Sequence, residues 1–127
     1  MTSAQRLPRA LRFAMWFGLL GAPIAWTLQH ITGFALSDAT CSEAGRGWTI
    51  HMDAWTLVVG ATAFAIGALA EIAAFITWRA TRDSNDEPPE SRIHFLSVIA
   101  CTVNPLFLCI IAMSTLGALF LANCQQS

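Results

Sequence analysis

Charged and strongly polar residues cluster in this chain, and three long apolar runs lie between the clusters: Phe13 to Leu36, Ala54 to Trp78 and Phe95 to Ala122. Each run is long enough to cross about 30 Å of hydrocarbon at 1.5 Å per helical residue. In lipid a bare peptide group costs several kcal/mol, and only a helix satisfies its own backbone, so each run is expected to be helical. The pattern predicts an all-α membrane protein, a single domain over residues 1–127 with three transmembrane helices and no fourth span. Pro23 and Pro105 fall inside predicted helices, where the missing amide hydrogen implies a local kink. Two connections remain. Ser37 to Asp53 contains Gly45-Arg46-Gly47; Arg79 to His94 contains Asn85-Asp86-Glu87-Pro88-Pro89-Glu90 and is the better candidate for a mobile loop. Phe13 to Leu36 exceeds the roughly 7–15 apolar residues of a secretory signal, so it is expected to be a retained helix. Asp38-Ala39-Thr40 ahead of Cys41 does not resemble a lipoprotein cleavage site.

Composition agrees: 127 residues with 55% hydrophobic and 12% charged are too apolar for an ordinary soluble domain. The seven basic residues are all Arg. Arg6, Arg9 and Arg12 precede the first run, Arg79, Arg82 and Arg92 lie between the second and third, and Arg46 alone occupies the other side. By the positive-inside rule the N-terminus is expected in the cytoplasm and the C-terminus outside, in a bacterial cytoplasmic (inner) membrane. Trp16, Trp48, Trp55 and Trp78 fall near the predicted span ends, where an amphipathic indole favours the headgroup region. A net charge of -1 without a basic block argues against nucleic acid as a partner.

This topology sorts the cysteines. Cys41 and Cys124 emerge on the outer, oxidising side, where a disulfide is expected to tie the first connection to the C-terminus. Cys101 and Cys109 stay inside the membrane, about 80° apart on an ideal helix and unable to bond each other. Cys109 shares a face with Met113, a soft pair that could hold Cu(I), but apolar packing explains both residues and no metal is expected.

Glu71 lies about 10 Å inside the cytoplasmic boundary, where a carboxyl group requires a partner. Asn104 stands at a compatible depth in the third run, so the two are expected to meet. Because Pro105 frees a carbonyl near Cys101, that oxygen is a further acceptor for a protonated Glu71. A proton or cation site is one reading of Glu71 and a hydrogen-bonded helix contact is the other. Without a second acidic group in any span, the contact is preferred. Ala63 and Gly67 share the Glu71 face and suit close packing. In the first run Gly18, Ala22, Ala25 and Gln29 form a similar stripe. Gln29 and His30, with Thr62, Ser114 and Thr115 at similar depth, are expected to form a second polar layer. His30 is read there as a hydrogen-bonder within the bundle.

Two facing axial ligands are needed for a six-coordinate b-type haem, yet His51 and His94 are separated by most of the bilayer and His30 has no counterpart. His51, Met52 and Asp53 are consecutive and cannot converge on one ion. No nucleophile triad, metal-protease helix, phosphate loop or Cys-x-x-Cys motif occurs in the sequence. Neither a cofactor nor enzymatic activity is expected.

Gly18-Leu19-Leu20-Gly21-Ala22-Pro23-Ile24-Ala25-Trp26, followed by Cys41, Trp48 and the terminal Cys124, resembles the small three-span proteins encoded beside bacterial haem-copper oxidase genes. The resemblance implies association with a respiratory terminal oxidase or its assembly. The expectation is a non-catalytic accessory subunit docking through its transmembrane helices onto a larger complex. Two alternatives stand beside it: a homo-oligomeric proton- or cation-coupled transporter using Glu71, and a thiol- or copper-handling assembly factor that would need Cys41 and Cys124 reduced.

Overall fold

Arg9 begins the first helix directly after Pro8, whose lack of an amide hydrogen is harmless where no intrahelical acceptor exists. This helix, α1, runs Arg9–Cys41, followed by a 3₁₀ turn at Glu43–Gly45, α2 at Met52–Thr81 and α3 at Glu90–Phe120. The computed structural model describes residues 8–45, 51–83, 90–121 and 124. Arg6, Trp48, the rest of the Gly45-Arg46-Gly47 turn, Asn85 to Pro89 and Ala122 lie outside them. Among the described residues there is no strand. All three helices are long and apolar enough to cross a membrane, which makes this a multi-pass membrane protein.

Every helix extends past its apolar run. The stretch Ser37 to Cys41, expected as loop, is the last turn of α1. There Thr40 Oγ1 donates back to the carbonyls of Leu36 and Ser37, and the Ser42 amide caps the Asp38 carbonyl. Likewise Arg79–Thr81 and Glu90–His94 are helical. Local electrostatics favour these extensions, because Asp53 and Glu90 stand in the first turns of α2 and α3 and Arg79 in the last turn of α2. Both internal prolines sit within continuous helices.

Cross-helix pairs fix the arrangement. Gly18 and Gly21 of α1 meet Ala74 and Ala70 of α2, and Gly60 and Gly67 of α2 meet Thr115 and Leu108 of α3, so α2 is antiparallel to both neighbours. Gln29 meets Thr115 and Gly18 meets Asn104 with the same sequence offset of 86, so α1 and α3 run parallel. One end of the bundle thus carries Arg9, Arg12, Arg79, Arg82 and Arg92; the other carries the Cys41–Cys124 disulfide, with Cα atoms 5.6 Å apart.

Side-chain size is inverted relative to a soluble core. Gly18, Gly21, Ala22, Ala25, Gly60, Ala63, Gly67, Ala70, Ala74 and Ala100 are buried, while Phe13, Phe34, Phe95, Leu106 and Phe120 face outward. Lipid supplies no hydrophobic drive for burying large side chains, so close backbone approach across small residues carries the packing. A Cβ on Gly18 would stand 2.8 Å from the Ala74 backbone nitrogen, and one on Gly21 2.7 Å from the Ala70 Cβ.

Candidate functional site

Two regions hold the polar groups of the spans. The first joins all three helices in the half nearer the arginine-rich end. Asn104 is completely buried, and its Nδ2 donates to the Gly18 carbonyl at 2.8 Å. On α2 the half-buried Glu71 places its carboxyl group within hydrogen-bonding reach of the Asn104 side chain and close to Cys101. The expected approach of Glu71 and Asn104 therefore occurs, but Asn104 also reaches α1, a link the spacing did not suggest. The expected bond from Glu71 to a carbonyl near Cys101 is not formed among the described residues. Glu71 Oε2 and Asn104 Oδ1 are both buried and receive no hydrogen bond. Nearer the arginine-rich end, Thr81 and His94 Nδ1 pair at 3.2 Å and tie α2 to α3. Neither residue was singled out for this from sequence; the signal was their position on either side of one helical hairpin.

The second region lies in the half nearer the disulfide. Gln29 Nε2 donates to Thr115 Oγ1 at 2.9 Å and approaches the Ile111 carbonyl at 3.4 Å, so Gln29 and Thr115 do form a polar contact between α1 and α3. Two further members expected in that layer make no bond to another helix. Thr62 and Ser114 are exposed and donate to their own helices, at Val58 and Ile110. His30 also differs from expectation: it is exposed, makes no hydrogen bond among the described residues, and stacks on Trp26 with ring centroids 5.6 Å apart. One residue after Gln29 is about 100° further round the helix, which carries His30 off the interhelical seam.

Beside this contact a cleft of about 430 Å³ opens between the three helices, with Trp26, His30, Gly33 and Phe34 on α1, Met52 and Thr56 on α2, and Ser114 and Gly117 on α3. Among the described residues it has no Asp, Glu, Lys or Arg in its lining. Pro23 lies one turn below Trp26, and the Thr27 hydroxyl donates to its carbonyl.

The remaining candidates are dispersed. Cys109 and Met113 are both exposed on the outer surface of α3. His51 precedes the first residue of α2 while His94 pairs near its last, so the length of α2 lies between them. Among the described residues no three His, Cys, Asp or Glu side chains gather as metal ligands. No protein-family model, curated protein or solved structure matches the chain.

Proposed function

We propose that this protein is a non-catalytic accessory or assembly subunit of a larger membrane complex, which it joins through the outer faces of its transmembrane helices. The resemblance of the first span and the paired cysteines points to a respiratory terminal oxidase of a bacterial inner membrane as that complex. The carrying observation is how most interior polar groups are used. Asn104, Gln29, Thr115, Thr81 and His94 each bind another helix of the same bundle, and Cys41 and Cys124 are bonded to each other. What remains available is a broad apolar exterior including Phe13, Ile31, Phe34, Leu106 and Met113. We place the arginine-rich end in the cytoplasm and the disulfide outside, because all the Arg residues except Arg46 belong to the former.

Purification in mild detergent from native membranes tests this reading. Stoichiometric co-purification with oxidase subunits, and slowed respiration in a deletion strain, are the expected results. A solitary chain combined with unchanged respiration would remove the proposal. A reporter enzyme fused after residue 127 should be active only outside the cytoplasm.

One observation favours a second reading. Glu71 Oε2 is buried without a partner, as a proton or cation site would require. In that case the chain is a small proton- or cation-coupled transporter assembled from several copies, and Glu71→Gln abolishes coupled flux in vesicles. Flux that is absent from the native protein, or unchanged in the variant, eliminates it.

A further inference from the structure

The cleft near the disulfide differs from the glycine contacts elsewhere among the described residues. Gly18, Gly21, Gly60 and Gly67 each stand where an added Cβ would strike a neighbouring helix. Gly33 and Gly117 are the exceptions among the described helical glycines: a Cβ on either finds nothing within 4 Å. Both line the cleft. Glycine costs about 1 kcal/mol relative to alanine inside a helix, and no described residue uses the room that these two provide.

His30 is the second observation. It lies about 9 Å inside the end of the apolar run at Leu36, is open to the cleft, and lacks a hydrogen-bond partner among the described residues. An unpaired imidazole at that depth is costly unless something polar meets it. Trp26 stacks on the same ring with an interplanar angle of 26°, giving a flat aromatic wall edged by ring nitrogens. Among the described residues the lining is uncharged and provides no cation for a phosphate group. A lipid acyl chain could fill the groove but would leave the imidazole without a partner.

We propose that this cleft binds a neutral amphiphile whose flat ring carries carbonyl or hydroxyl groups, a molecule of the quinone class. Its ring lies against Trp26 and His30 in the space beside Gly33 and Gly117. The imidazole N–H donates to a ring carbonyl, and the apolar tail leaves through the open side of the cleft into lipid. The proposal concerns binding and assigns no electron transfer. It stands independently of the accessory-subunit reading.

The test uses the full-length chain with its disulfide intact, in phosphatidylcholine nanodiscs, titrated with decylubiquinone and followed by tryptophan quenching. Saturable quenching is expected, with most of its amplitude lost in Trp26→Phe. Gly33→Leu and Gly117→Leu place a side chain in the cleft from positions whose Cβ meets no described neighbour within 4 Å, so both should retain helical content and the disulfide while weakening binding at least tenfold. His30→Phe preserves a stacked ring and removes the nitrogens, and should weaken binding about fivefold. Quenching that never saturates and has the same slope in native protein and Gly33→Leu means simple partition into the bilayer and overturns the proposal. So does a phosphatidylcholine molecule that stays bound one per chain and is not displaced by the quinone.

Discussion

The two halves of this bundle use the same few residue types to opposite ends. In the half nearer the arginine-rich end, glycine marks contact: Gly18 and Gly21 bring α1 against the backbone and Cβ atoms of Ala74 and Ala70, and the Gly18 carbonyl is close enough for Asn104 to reach. Toward the disulfide Gly60 still packs on Thr115, but beyond that contact Gly33 and Gly117 stand open and the helices separate around a cleft. The polar groups follow the same division, since Asn104 is wholly enclosed while His30 is open. Noncovalent packing holds one half together, and a covalent bond closes the other. A membrane bundle that cannot rely on burying large side chains has these two means of holding helices near one another, and this chain uses them at opposite ends.

Cutting the covalent closure should produce the largest effect. Cys41→Ser removes a cross-link between residues separated by 83 positions, and the chain-entropy relation gives about 4.5 kcal/mol for a loop of that size. Thermal unfolding in detergent should show the loss, and a dithiothreitol-treated native sample should match the variant. Unfolding temperatures equal in all three samples would mean that the cleft half holds together without its cystine. Next comes the packed half. Gly18→Val forces a branched side chain onto the Ala74 backbone, and rigid overpacking of this kind costs about 1–3 kcal/mol. If its melting curve overlays that of the native protein, the close crossing of α1 and α2 is not a source of stability.

The parts of this architecture legible in the sequence are those that the bilayer itself dictates. Span length and apolarity follow from hydrocarbon thickness, so all three helices were readable, and Cys41 with Cys124 followed from sorting residues to one end. Depth along a helix is equally readable, which is why Glu71 and Asn104 could be matched. Azimuth was not. In water the apolar stripe of a helix points to its neighbours, but here the outside is apolar too, so nothing in the pattern turned Gln29 inward and His30 outward. For the same reason Gly18 and Gly33 read alike, although one is wedged against α2 and the other stands free. The extra turn at Ser37 to Cys41 was hidden because its polarity resembled a loop, while its side chains bond back onto the helix.

A smaller effect is expected at the polar join. Asn104→Leu removes the donor to the Gly18 carbonyl, and interhelical hydrogen bonds in membranes contribute about 0.6 kcal/mol on average, at most about 1.7. Replacing Gln29 by Leu removes the corresponding bond to Thr115 in the open half. If the two halves differ as their packing indicates, Asn104→Leu is the more harmful, because Asn104 is enclosed on every side and connects to both other helices. Equal losses in a pair of melting curves would show that enclosure adds nothing to the bond.

The smallest change has the opposite sign. Gly33→Ala and Gly117→Ala add a methyl group where no described neighbour lies within 4 Å, so the gain in helix propensity is unopposed and each should stabilise by about 0.4–1 kcal/mol. Gly21→Ala makes the identical chemical change 2.7 Å from the Ala70 Cβ and should destabilise. Melting temperatures moving upward for the first two and downward for the third would establish that glycine means open space around the cleft and contact at the α1–α2 crossing. A downward shift in all three would mean that the cleft closes on Gly33 and Gly117 in the membrane. The division between the halves would then be lost.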